Sequence, residues 1–188
     1  SIGYIEEGQY TLEQPTPFNM EQEDLSLTGR HNIYNSLAAG IASDISGIKK
    51  ENIRKSLSDF PGVEHRIEYC GIVDGVKFYN DSKGTNVDAS IIALKALERD
   101  IILIAGGDGK AQDFTELGEN LLGRVKALVL LGRDAKEIDK AARAAGFSNI
   151  YHENDMNDCV KRAHKLSESG DKVLLSPACA SWDMYDNY

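Results

Sequence analysis

The sequence predicts an α/β fold: a Rossmann-like, mostly parallel sheet with helices on both faces and an N-terminal β-hairpin strand, preceded by a small helical segment. Three observations predict it. The wholly apolar run "IILIAGG" and the apolar stretch within "KALVLLGRD" read as strands buried on both faces. They alternate with segments of helical periodicity, the pattern of a parallel sheet covered by helices. The composition also changes at Pro61-Gly62, where a helical stretch gives way to alternating strands and helices.

Residues 1–27 read as strand-poor and irregular, with Pro15, Pro17 and many acids. A helix follows in "LTGRHNIYNSLAAGIASDISG": Thr28 stands at the cap position, Ile33, Leu37, Ile41 and Ile45 recur at four-residue steps, and Gly47 marks the stop. "ENIRKSLSDF" is a second, short helix. Beyond Gly62, "HRIEYCGIVDGVKFYND" predicts a hairpin with Asp74-Gly75 as its turn, between Tyr69–Val73 and Val76–Tyr79. "NVDASIIALKALE" is a helix. "DFTELGENLLGRV" opens with Asp113 and Glu116 at capping-box spacing. "AKEIDKAARAAG" is a helix closed by Gly146, "NIYHEN" a short strand, "MNDCVKRAHKLSES" a helix and "DKVLLSPA" the last strand. The boundary at residue 62 divides the chain into two modules, 1–62 and 63–188.

The 188 residues carry a formal net charge of -9, with 41% hydrophobic and 27% charged residues. That balance is ordinary for a globular protein. Such a surface repels a phosphate backbone, so no nucleic-acid partner is expected. No apolar run approaches the roughly 20 residues that cross a bilayer, and no secretory signal opens the sequence, so no membrane partner is expected either. Three cysteines, Cys70, Cys159 and Cys179, lack disulfide spacing and fit a reducing cytoplasm. His152, Cys159 and His164 are not at zinc spacing, and no metal site is expected.

Ligands of such sheets bind beyond the carboxyl ends of the strands. The loops there are "NDSKGTN", "GGDGK", "GRD" and "SPACASWD". In "GGDGK" the glycines permit close approach and Lys110 supplies a charge, but neither a Walker A nor a GxGxxG spacing is present. A turn with a solvated lysine is the competing reading. "NDSKGTN" offers Lys83 and the N–H groups of a helix start to an anion; alternatively Thr85 or Asn86 is simply the cap. Together Lys83 and Lys110 form the cationic patch that an acidic protein needs to hold a dicarboxylate. In "SPACASWD" small residues allow close approach, Ser181 offers a hydroxyl and Trp182 forms a wall; the alternative is a packed corner with Cys179 buried. In "GRHNIYN", Asn32 and Asn35 lie three apart on one helical face, where their amides cap the turn or read a purine edge.

Taken in order, "GRHNIYN", "HR" at His65-Arg66, "NDSKGTN" and "GGDGK" resemble the motifs of the Mur ligase family, ATP-dependent amide ligases of peptidoglycan synthesis. "LLSPACASWD" narrows the resemblance to the branch that adds D-glutamate to UDP-N-acetylmuramoyl-L-alanine. The resemblance runs from about Leu27 to Tyr188. It implies that residues 1–62 are the C-terminal part of a central ATP-binding domain. Residues 63–188 would be the Rossmann-like domain for the incoming amino acid, lacking its last helix. By the same resemblance Asn32 and Asn35 face adenine, and Arg66 and Asp81 reach ATP, Asp81 at the ribose. Thr85, Lys110 and Ser181 hold the D-glutamate carboxylates, with small residues letting a carboxylate dock on backbone N–H groups. Trp182 and Tyr188 wall the pocket, and Lys83 and Lys110 are the catalytic cations. Trp182 stands where some relatives carry a smaller aliphatic residue. ATP and Mg2+ are the implied cofactors, held largely by a phosphate loop and metal ligands that this sequence lacks. The fragment is therefore expected to be inactive alone, and its parent to be a cytoplasmic, monomeric enzyme. The alternatives are another ATP-dependent amino acid ligase, such as a folylpolyglutamate synthetase, or a non-catalytic nucleotide-binding module.

Overall fold

A computed structural model describes residues 2–6, 9–13, 18–27 and 30–184. The chain divides into two compact units, Ser1–Gly62 and Val63–Tyr188.

The first unit contains strands where none was expected. Strands β1 (Ile2–Glu6), β2 (Gln9–Glu13) and β3 (Phe18–Glu21) form an antiparallel sheet in that order. The sheet is paired in continuous register, from Ile2 opposite Glu13 to Leu12 opposite Phe18. The strand-poor reading of residues 1–27 is therefore corrected. Its physical cause is length: strands of four or five residues with acids interspersed show too few alternations to stand out, and pairing through adjacent antiparallel neighbours stabilises them. Helix α1 (Arg30–Ile45) and helix α2 (Lys50–Asp59) follow. Gly47 at φ +78° closes α1, as glycine at that position does. Met20, Leu25, Leu37 and Ile53 form the small core, with Ile33, Ile41 and Leu57 against it. Thr28, the expected cap, lies outside the described residues.

The second unit is a six-stranded sheet. Its strands are β4 (Glu68–Val73), β5 (Val76–Asn80), β6 (Ile101–Gly106), β7 (Val125–Leu131), β8 (Ile150–His152) and β9 (Lys172–Leu175). The spatial order is β4-β5-β9-β6-β7-β8, and every neighbouring pair is parallel except the hairpin β4-β5. That hairpin turns at Asp74-Gly75, both at positive φ (52° and 81°), the conformation a two-residue turn requires.

Alternate residues of the central strands feed two cores. Leu103, Ala105, Leu128 and Leu130 pack with α3 (Val87–Leu97), α4 (Thr115–Leu121) and α5 (Ala135–Ala144). Ile102, Ile104, Val129 and Leu131 pack with Cys159 and Ala163 of α6 (Met156–Leu166). The chain runs outward from β5 through β6, β7 and β8, then α6 returns it along the opposite face to insert β9 between β5 and β6. Right-handed crossovers place helices on opposite faces when the direction of travel reverses. The reversal thus fixes which loops meet: the segment after β9 emerges between those after β5 and β6.

Helix starts are partly as expected. Asn86, not Thr85, caps α3, accepting from Ala89 N at 2.9 Å. Asp113 does not enter a capping box. It accepts from Thr115 N at 2.9 Å and from Thr115 Oγ1 at 2.7 Å, because α4 begins at Thr115 itself.

Candidate functional site

Three loops at the carboxyl edge of the sheet are tied together by named bonds. Ala178 N donates to Gly84 O at 2.8 Å, joining the loop after β9 to that after β5. Asp108 and Ala180 form a two-way backbone bridge, with N–O distances of 2.8 and 3.0 Å, joining it to the loop after β6. Gln112 spans all three: its Nε2 donates to Ala178 O at 2.6 Å and its Oε1 accepts from Val87 N at 3.2 Å. The loop after β7 joins through Asp134, whose N donates to Gly107 O at 3.0 Å and whose Oδ2 accepts from Gly109 N at 2.6 Å.

Small residues make this lacing possible. A side chain at Gly107 would overlap Ala180 O, and one at Gly132 would come within 2.7 Å of Gly107 Cα. The closeness is between loops, and it engages several of their N–H groups. Ala178 N and Ala180 N are both engaged. In "GGDGK", Asp108 N, Gly109 N and Lys110 N are engaged as well, the last by Asp108 Oδ1 at 3.0 Å. At the start of α3, Val87 N and Ala89 N are satisfied by Gln112 and Asn86. Bonds within the protein satisfy these named groups, and the exposed side chains of the same loops are open to a ligand.

Those side chains are placed as follows. Lys110, at φ +52°, is exposed at the tip of its loop; Thr85 is exposed; Ser181 and Lys83 are half-buried. All four lie on the three laced loops. Trp182, beside Ser181, is 63% exposed. Tyr188 lies outside the described residues. Arg66 is exposed between two residues at positive φ, His65 (67°) and Ile67 (47°). A β-branched residue in that region is strained, so the turn is held by its surroundings. Three contacts hold it: Lys83 N donates to His65 O at 3.1 Å, Ile67 N to Asp81 Oδ1 at 3.1 Å, and Asn80 Nδ2 lies 2.9 Å from His65 Nδ1. Ser82 N donates to Asn80 Oδ1 at 3.1 Å, which turns the amide N–H toward the ring and makes His65 Nδ1 an acceptor. Arg66 and Lys83 are thus positioned together.

Asp81 is buried at 6% exposure, its Oδ2 accepting from Ser176 Oγ at 2.7 Å. In the first unit, Asn32 and Asn35 lie in the first two turns of α1, with Asn35 Nδ2 3.4 Å from Asn32 Oδ1.

Carboxylates surround the glycine corner. Arg133 Nη1 donates to Asp108 Oδ2 at 2.8 Å and Arg133 N to Asp183 Oδ2 at 2.7 Å. Burial pushes the Cys179 thiol up to about 12, and Asp134, Asp183 and Asp108 add to the shift, so it is no nucleophile. Beside the laced loops a cleft of about 280 Å3 lies at the starts of α3 and α4, lined by Asn86, Val87, Asp88, Gln112, Asp113 and Glu116. Its three acids make it a poor seat for a dicarboxylate. Sequence reasoning missed Gln112, Ser176, Ser90, Arg133 and Asp134. The aspartates of "GGDGK" and "GRD" were visible, but their targets are backbone groups on other loops.

Comparison with known proteins follows the same outline. The family described as "Mur ligase, glutamate ligase domain" matches residues 65–179. The UDP-N-acetylmuramoylalanine–D-glutamate ligase of Bacteroides fragilis is 46% identical over 188 residues, all of this chain and 42% of that protein. The protein of that name from Clostridioides difficile is 47% identical over 169 residues, 90% of this chain and 38% of its own. The chain spans about two fifths of the length of these relatives. Among solved structures, the UDP-N-acetylmuramate-alanine ligase MurC of Thermotoga maritima aligns with a TM-score of 0.68 at 17% identity, over 91% of this chain and 40% of that one. A Mycobacterium tuberculosis folylpolyglutamate synthase complexed with ADP and AMPPCP aligns at 0.64 and 15% identity, over 95% and 45%. At these identities the structures share the fold.

Proposed function

This chain belongs to the Mur ligase family, and on that premise we propose that it is the C-terminal part of an ATP-dependent ligase joining D-glutamate to UDP-N-acetylmuramoyl-L-alanine. In this reading residues 1–62 end the central ATP-binding domain and residues 63–188 receive the amino acid. The names of the B. fragilis and C. difficile relatives support the substrate. The observation that carries the reading is the lacing of three loops at the one edge where Thr85, Lys110 and Ser181 all stand.

ATP supplies the phosphoryl group that activates the muramoyl-alanine carboxylate as an acyl phosphate. The residues of this chain bind and orient. Lys110 sets its ammonium against one D-glutamate carboxylate, and Thr85 and Ser181 donate hydroxyl protons to the carboxylates. With both carboxylates held, the D-glutamate amine is aimed at the acyl carbon, and orientation of this kind supplies much of the rate of such a step. Lys83 adds positive charge where negative charge develops on the transferring group. Within the first unit we assign Asn32 and Asn35 to adenine; within the second we assign Arg66 and Asp81 to the nucleotide, Asp81 at the ribose, and Trp182 and Tyr188 to the pocket wall. Among the described residues no cluster of three or more His, Cys, Asp or Glu is placed to hold a metal ion. Because the phosphate loop and metal ligands that the family resemblance implies are not in this sequence, we leave Mg2+ and the phosphates to the rest of the parent protein. No described helix is long and apolar enough to cross a membrane. We take the parent to be a cytoplasmic monomer.

The test uses the full-length protein. Phosphate release is followed with ATP, Mg2+ and UDP-N-acetylmuramoyl-L-alanine, adding D-glutamate, L-glutamate, L-lysine or diaminopimelate in turn. Release that depends on D-glutamate is expected. Release with another amino acid overturns the pocket assignment, and none with any overturns the ligase reading. The 188-residue chain alone is expected to release none.

A further inference from the structure

Behind the laced loops lies a buried hydroxyl chain that the proposed chemistry does not use. Ser90, in the first turn of α3, and Ser176, just after β9, are both fully buried. Their Oγ atoms are 2.8 Å apart, and Ser176 Oγ is 2.7 Å from Asp81 Oδ2. Ser90 Oγ is also 3.2 Å from Ser176 O and 3.4 Å from Gly84 O. Proton counting gives the chain a direction. A carboxylate has no proton to give, so Ser176 donates to Asp81. Ser176 Oγ is then open to accept, and Ser90, whose single proton has Ser176 Oγ as its nearest acceptor at 2.8 Å, ahead of Ser176 O and Gly84 O, is the donor beside it.

We propose that Ser90 and Ser176 are positioning residues that act through Asp81. The relay Ser90 to Ser176 to Asp81 holds the loop of Lys83 and Thr85 in register with the loop of Ser181. Three links carry the effect outward. Asp81 Oδ1 accepts from Ile67 N, which anchors the strained turn presenting Arg66. Asp81 O accepts from Gly84 N at 2.7 Å, which closes the turn around Lys83. Gly84 O accepts from Ala178 N, which reaches the "SPACAS" turn. One buried network thus joins the nucleotide-side residues to the amino-acid-side residues. Bonds in such chains polarise one another and strengthen together.

The inference rests on the ligase reading, so wild-type full-length protein is first shown to release phosphate in response to D-glutamate; failure there sinks that reading and not this one. Ser176→Ala, Ser90→Ala and the double variant are then compared. Each single change is expected to raise the KM for ATP and for D-glutamate roughly 3- to 10-fold, with kcat within about twofold. The double variant is expected to match the worse single one, because both changes cut one chain. Lowered thermal stability with both KM values unchanged would make the serines structural filler and overturn the proposal. So would multiplicative effects in the double variant. Should S176A fail to fold, Ser90→Ala alone carries the test, since it leaves the donor to Asp81 in place.

Discussion

Gln112 bonds to both neighbouring loops through its side chain, and its removal has a calculable cost. Gln112→Met keeps the length and removes both polar ends. Ala178 has no exposed surface, so its carbonyl loses its 2.6 Å partner without access to bulk water, at a cost of about 1–3 kcal/mol. Val87 N is a helix-start donor in a residue at 8% exposure, and its lost bond costs about 0.5–1.5 kcal/mol. The sum is about 1.5–4.5 kcal/mol, a large part of the stability of one domain. Urea unfolding followed by circular dichroism reads it as a lower midpoint with unchanged slope. Gln112→Glu sharpens the test. It keeps the acceptor for Val87 N but sets a carboxylate against Ala178 O. It is expected to destabilise at least as much as Met at pH 7 and to recover as acid protonates it. A loss below about 0.5 kcal/mol for Met would refute the reasoning, because water would then replace the amide at both ends.

Three further outcomes are expected. Lys110→Ala in the full-length protein is expected to raise the KM for D-glutamate about 10- to 100-fold, the worth of one charge-assisted bond, with little change in melting temperature because the side chain is exposed. Asp139→Asn is expected to destabilise by about 1 kcal/mol at pH 7. Burial raises the Asp139 carboxyl, but His152 and Arg143 outweigh it and hold it below its usual value, so its contribution is present above about pH 4 and fades as pH falls through the folded value. Alkylation of the native chain followed by mass spectrometry is expected to label Cys70 first. Cys70 is exposed, whereas burial pushes Cys159 and Cys179 up to about 12.

The sheet was legible because its signals are local. "IILIAGG" is apolar on every residue because β6 is covered on both faces, and Asp74-Gly75 names its own turn. The antiparallel sheet of residues 2–21 was not legible, because four- and five-residue strands owe their stability to partners rather than to pattern. The candidate site divides in the same way. Its loops followed from where strands end. The lacing did not, because it depends on β9 entering between β5 and β6, a topology that no single loop encodes. The Asp113–Glu116 spacing misled for a related reason: Asp113 bonds to Thr115, the first residue of α4 two positions on, instead of to the N–H of Glu116 three positions on.

The acids of this edge explain how an acidic chain can present cations. Asp81 accepts from Ile67 N, Asp108 from Lys110 N, Asp113 from Thr115 N, Asp134 from Gly109 N and Asp183 from Arg133 N. Five aspartates each satisfy a loop donor that would otherwise need water or a ligand. In many phosphate-binding loops these same N–H groups cradle the anion. Here these five are occupied within the protein, so the loops are stiffened, and on the proposed ligase reading anion recognition passes to side chains. A lysine ammonium is a point charge on a flexible stem, suited to a carboxylate that moves during reaction. It follows that replacing an edge aspartate is not a simple gain of positive potential. Asp134→Asn keeps a carbonyl acceptor for Gly109 N while removing charge, and is expected to leave the KM for D-glutamate within about threefold. Asp134→Ala frees Gly109 N and lets the lysine loop move, and is expected to raise that KM about tenfold or more. If instead the alanine variant bound D-glutamate more tightly, the freed N–H would be acting as an anion donor, and the division of labour argued here would be wrong.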